Sequence, residues 1–124
     1  MTNTSRSSAL GAEAEKFAER YLTEQGLRLI VRNYRCKLGE IDLIMQEGEL
    51  LVFVEVRYRK GSHFGSASET VTYFKQQKII KAASYYLQTT RLYNYQACRF
   101  DVIALEKQAK DFKLQWIKDA FRVL

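Results

Sequence analysis

The stretch LGEIDLIMQEGELLVFVEVRYRK, residues 38–60, constrains the chain more than any other. Two runs rich in Ile, Leu, Val and Phe flank Glu47-Gly48, the pattern of two strands joined by a tight turn. With Glu47-Gly48 as a two-residue turn, Gln46 pairs with Glu49, Glu40 faces Glu55 and Asp42 faces Phe53. Every second residue returns to the same face, so Glu40, Asp42, Glu55 and Arg57 share one face at the end away from the turn. Asp42 and Glu55 become diagonal neighbours, roughly 7–8 Å apart at Cα, which leaves room for an ion between the carboxylates. Ile44, Leu51 and Phe53 lie on that face too and need cover, so the carboxylates gather where the cover ends. The opposite face carries Ile41, Leu43, Met45, Leu50, Val52, Val54 and Val56 and is purely apolar. A three-residue turn would flip one strand's parity and separate Asp42 from Glu55.

The flanking segments supply the cover. Residues 1–8 are polar and read as a disordered tail, leaving residues 9–124 as a single domain. Residues 9–25 carry a helical stripe of Ala14, Phe17, Ala18, Tyr21 and Leu22, with Gly26 as a C-cap. Glu13 and Glu15 sit on opposite shoulders of that stripe; either can lean over what the helix covers, or simply favour its N-terminal half. Residues 27–34 alternate as a strand whose exit is basic, with Arg32, Arg35 and Lys37. The glycine-containing loop KGSHFGSAS follows the hairpin and can close over a substrate, while its lone His63 receives no catalytic role. Residues 68–88 are helical again, with Ser68 as N-cap and a stripe of Val71, Ile79, Ala82, Ala83 and Tyr86. Lys75 falls inside this stripe and Lys78 at its edge; such a lysine either snorkels to water or reaches a buried acidic cluster. Residues 98–105 form a strand in which Asp101 is a hydrogen-bonded or ion-paired structural residue. Residues 112–117 form a last edge strand, and residues 118–121 a terminal turn of helix. The order is α-β-β-β-α-β-β. A helix crossing between the third and fourth strands implies parallel pairing there, hence an α/β fold with a mixed sheet flanked by helices.

The charge balance adds a partner class. Twenty Lys and Arg against 14 Asp and Glu give +6, which favours a polyanion such as nucleic acid. Cys36 and Cys98 form no CxxC pair, and His63 is the one histidine, so neither a disulfide framework nor a zinc set is expected. The longest fully apolar run, residues 50–54, is far too short for a bilayer, and no signal-peptide core is evident; a cytoplasmic protein without a membrane association is expected.

Asp42 and Glu55 match the minimum that Mg²⁺ takes from a protein, one or two carboxylates beside substrate phosphate oxygens, and the Val56 carbonyl can add to it. Arg57 can stabilise phosphate charge but keeps its proton, so Lys75 is the better group to position or deprotonate water. Arg32, Arg35, Lys37, Arg59, Lys60 and Lys78 are candidate nucleic-acid contacts, and Tyr34 and Tyr58 among them are candidates to stack on unpaired bases.

The spacing D-x12-E-x-basic after an acidic N-terminal helix resembles the PD-(D/E)xK nuclease superfamily, the restriction-endonuclease-like fold. The segments AEKFAERYL, VRNYR, GEIDLI, FVEVRYR and RFDV are similar to those of the YraN-like family of uncharacterised bacterial proteins, which resemble archaeal-type Holliday junction resolvases. The resemblance implies that Asp42 and Glu55 are the metal-binding carboxylates for Mg²⁺ or Mn²⁺, that Glu15 is the acidic residue of the first helix, and that Arg57 stands where the superfamily has its catalytic lysine. The proline before the first aspartate is replaced by Ile41. A possible homodimer follows from the resolvase likeness alone, since the chain itself marks no dimer surface. Three readings stay open on these residues: a metal-dependent endonuclease for branched or structured DNA, a non-catalytic nucleic-acid-binding or protein-interaction domain on the same scaffold, and a structural partner whose acids only pair with arginines.

Overall fold

Two amphipathic helices press on opposite faces of one five-stranded sheet in the computed structural model, which describes residues 2–59, 71–92 and 97–123, with side chains from residue 10 onward. The elements are α1 (Thr2–Glu24), β1 (Arg28–Cys36), β2 (Gly39–Glu47), β3 (Leu50–Arg59), α2 (Tyr73–Thr89), β4 (Cys98–Gln108) and β5 (Asp111–Phe121). The sheet runs β1-β2-β3-β4-β5, antiparallel except for β3 with β4, which α2 joins as a parallel crossover. This is the α/β order and mixed pairing that the sequence implies. Among the described residues no helix is long and apolar enough to cross a membrane.

Ala14, Ala18 and Leu22 of α1 are buried against Leu43, Met45, Val52 and Val54. On the other face Ile79, Ala82, Ala83 and Tyr86 of α2 cover Ile44, Leu51 and Phe53, and the Phe53, Phe100 and Phe121 rings stack in series. Gly26 ends α1 at φ 101, and the Leu27 N–H donates to the Leu22 carbonyl at 3.0 Å, the closure that a left-handed cap permits. Gly39, at the β1–β2 turn, lies so close to α2 that a Cβ there would meet the Lys78 carbonyl oxygen at 2.8 Å. That approach locks the tip of the hairpin against the helix carrying Lys75.

Several boundaries differ from the sequence reading. Helical backbone begins at Thr2, so it extends through the polar segment assigned to a tail, which has no apolar stripe to signal it. Thr72, not Ser68, caps α2, its hydroxyl accepting from the Lys75 N–H; Ser68 lies outside the described residues, as do Lys60 and the rest of the loop around His63. Residues 118–121 continue β5 rather than turning into helix, because Phe121 pairs with Phe100 and is buried on it.

Asp101 holds the far side of the sheet together. It is fully buried and accepts from Arg99 Nε at 2.8 Å and Nη2 at 2.9 Å, from Trp116 Nε1 at 2.9 Å and from the Asp119 N–H at 2.9 Å. Asp119 adopts φ 55 to aim that N–H. Asp101→Ala strands a nearly buried guanidinium, an indole N–H and a backbone N–H together, so it should lower unfolding stability in a urea titration by about 3–5 kcal/mol.

Candidate active site

The β2–β3 hairpin turns one residue later than its sequence suggests. Glu47 pairs with Leu50, leaving Gly48-Glu49 as the turn, with Gly48 at φ 60 in the first position, where a left-handed backbone favours glycine. Ile44 therefore faces Phe53, and Asp42 does not. The pairing slips by two residues, an even number, so the slip itself moves no side chain to the other face. Continuing the register past Leu43–Val54 puts Asp42 opposite Glu55, closer than the diagonal placement the first reading of the turn implies. Glu40 is not opposite Glu55; it lies across from Arg35 on β1, with an ion pair at 3.5 Å.

The β2–β3 ladder ends at Leu43 and Val54. In place of a main-chain acceptor, the Val56 N–H donates to Asp42 Oδ2 at 2.7 Å. Across from Asp42 on β1 sits Asn33, at φ 52. Its left-handed backbone breaks the alternation: Ile44 and Ile41 both pack on the α2 side, as do Val31 and Tyr34. Ile41 thus leaves the apolar face assigned to it from strict alternation. The consequence is that Asp42 occupies a break in the sheet that both helices reach.

Five candidate residues converge there. Glu55 is only 5% exposed, and its charge acts on the Asp42 carboxyl. Lys75 reaches in from α2, its Nζ 3.3 Å from Glu55 Oε2, and Arg57 Nη1 lies 3.6 Å from the same oxygen. Glu15 approaches from α1, beside Asn33 and close enough to feel the charges of Asp42 and Glu40. Glu13, on the other shoulder of α1, is held instead by Lys107 at 2.9 Å.

Burial and like charge act together on two of the acids. Burial, then the Glu55 charge, push the Asp42 carboxyl from 3.8 up to about 7, against the opposing Val56 N–H and Lys75 ammonium. Burial, then Asp42 and Glu40, raise Glu15 from 4.5 to about 7. Among the described residues no group of three or more His, Cys, Asp or Glu side chains is arranged to hold a metal ion. Asp42 and Glu55 offer the oxygen ligands that a hard divalent cation takes while retaining water, and such a cation would relieve the repulsion between the two carboxylates.

The basic residues divide. Arg35, Lys37 and Lys78 line a pocket of about 480 Å³ that Lys75 shares with the acidic site. Arg32 is bound in a bidentate pair by Glu19, at 2.7 and 3.0 Å, so its charge is matched within the fold. Arg59 is half-buried beside Ala104 and Glu106. Tyr34 and Tyr58 are not surface stacking groups: Tyr34 packs edge-on against Tyr86, and Tyr58 against Phe112. Sequence reasoning missed Asn33, whose signal is a strand-averse residue inside an alternating run, and the exposed pair Tyr73 and Phe74.

The raised carboxyls carry a sign. Asp42 and Glu15 hold protons in the folded state between about pH 4 and pH 7 that the unfolded chain has released, so the stability they contribute is present at low pH and lost as pH rises through 7. In EDTA the melting temperature should therefore fall between pH 5 and pH 8. Asp42→Asn, which keeps an acceptor for the Val56 N–H but no charge, should flatten that fall and melt above the unsubstituted protein at pH 8.

Comparison with other proteins places this chain in a family. Residues 14–105 match the family described as "Uncharacterised protein family UPF0102". The chain is 49% identical over 113 residues to a UPF0102 protein of Nitrosococcus oceani, covering 91% of each. It is 50% identical over 111 residues to one of Legionella pneumophila, covering 90% of this chain and 92% of that one. With one of Pseudomonas savastanoi pv. phaseolicola it shares 49% over 122 residues, 98% of each. The chain belongs to the UPF0102 family, in keeping with its resemblance to YraN-like proteins.

Proposed function

We propose that the domain is a metal-dependent endonuclease for structured or branched DNA, with Mg²⁺ or Mn²⁺ held by Asp42 and Glu55. The observation that carries this reading is the Lys75 ammonium 3.3 Å from Glu55. In the nuclease superfamily that the chain resembles, a lysine follows the second carboxylate; here Arg57 has that place, and Lys75 brings an ammonium to the same carboxylate from α2. The two cations divide the work. Arg57 keeps its proton and offers fixed positive charge to a phosphate; Lys75 can position a water and exchange a proton with it. A bound divalent cation supplies a water activated near neutral pH and neutralises charge on the phosphate oxygens. Glu55 supplies buried charge, while Asp42 is anchored by the Val56 N–H and so needs no rearrangement to present its other oxygen. The net charge of +6 supports a polyanionic substrate.

One observation favours a non-catalytic nucleic-acid-binding or protein-interaction domain instead: Lys75 and Arg57 already compensate Glu55, as they would in a purely structural cluster. A cleavage assay separates the two, using duplex, single-stranded and four-way-junction DNA with Mg²⁺ or Mn²⁺ and an EDTA control. Cleavage should require the metal; Asp42→Ala, Glu55→Ala and Lys75→Ala should each lower it at least about 100-fold, while Arg57→Lys retains or raises it. DNA affinity should fall steeply with salt, as phosphate neutralisation releases counterions. Salt-sensitive binding without cleavage by any metal assigns the binding-domain reading.

A further inference from the structure

Among the described residues the most exposed aromatic side chains lie on α2, not on the strands. Tyr73 and Phe74, in the first turn of α2, are 68% and 70% exposed, and Leu38, at the β1–β2 turn, is 46% exposed. Phe74 and Leu38 line the 480 Å³ pocket between the hairpin tip and α2. Its wall carries four cations, Arg35, Lys37, Lys75 and Lys78, against one carboxylate, Glu40, which already pairs with Arg35. Lys78 Nζ lies 4.8 Å from the centre of the Phe74 ring. Lys75 belongs both to this wall and to the Glu55 pair, so a single side chain joins the pocket to the acidic site.

We infer that this pocket takes an unpaired nucleotide of a DNA strand, its base stacked on Phe74 and its phosphates on Lys37 and Lys78. The inference rests on the nuclease reading for one point only, the phosphate next to that nucleotide being the one presented to Asp42 and Glu55. Alternating cations and an exposed ring suit a flexible single strand, because each base has a π-face and each linkage a charge. A base inside a duplex is stacked on both sides and cannot offer that face, so the substrate class is DNA with an unpaired segment at a tail, flap or branch point. A second copy of this chain is disfavoured as the occupant, since a two-fold contact would set the cationic wall against itself.

The test compares binding, in EDTA, of a blunt duplex and the same duplex with a five-nucleotide unpaired tail containing 2-aminopurine. The tailed duplex should bind about tenfold tighter, with a change in 2-aminopurine fluorescence. Phe74→Ala should erase both the preference and the signal, and Phe74→Trp should keep them; Phe74 is exposed, and matching thermal melts verify that the variants fold. A tail preference that survives Phe74→Ala overturns the inference, as does a Phe74→Ala effect confined to splitting a dimer in sedimentation. Metal-dependent cleavage lost in Asp42→Ala, without any tail preference, keeps the nuclease reading and removes the pocket. A Phe74-dependent tail preference with no cleavage keeps the pocket and removes the nuclease reading.

Discussion

The site depends on one hydrogen bond, from the Val56 N–H to Asp42 Oδ2. In an uninterrupted ladder that N–H would take a main-chain oxygen from β2. Here a carboxylate takes it, at the point where the β2–β3 pairing stops and Asn33 reverses the alternation of β1 and β2. The break does two things together. It satisfies a main-chain donor that would be costly to strand, and it fixes a carboxylate beside Glu55, where α1 and α2 both reach. Without it, Asp42 would be an ordinary strand residue and Glu15 would have no acid to approach.

Asp42 and Asp101 show how donor supply decides what a buried acid is for. Asp101 receives four hydrogen bonds, two of them from a guanidinium, and its charge is fully spent on holding β4 to β5. Asp42 has the Val56 N–H and a second carboxylate for company, so its proton is retained to about 7. An acid saturated with donors is structural. One short of donors has affinity left for a cation, and strongly perturbed carboxyls in a break of the fold are where chemistry is sought.

The acidic site and the cationic pocket meet at Lys75. Its backbone N–H is fastened by the Thr72 cap, and its ammonium sits between Glu55 and the pocket wall. The helix is in turn located by Gly39, whose missing Cβ lets the β1–β2 tip close on the Lys78 carbonyl. A short span of α2 thus sets the distance between the acidic cluster and the cationic pocket.

Element order, the parallel crossover, the pairing of Asp101 and the facing of Asp42, Glu55, Arg57 and Lys75 are legible in the sequence. All follow from periodicity: alternation assigns strand faces, and a 3.6-residue stripe puts Lys75 on the inward side of α2. Periodicity is blind to an even slip, so the turn at Gly48-Glu49 and the direct opposition of Asp42 and Glu55 appear only in the pairing itself. It is equally blind to a single left-handed residue; Asn33 moves Ile41 to the other face without altering the hydrophobic pattern. Exposure of an aromatic residue is likewise a tertiary property. Tyr34 and Tyr58 lie among basic residues in sequence yet pack on Tyr86 and Phe112, whereas Tyr73 and Phe74, in the first turn of α2, stay exposed.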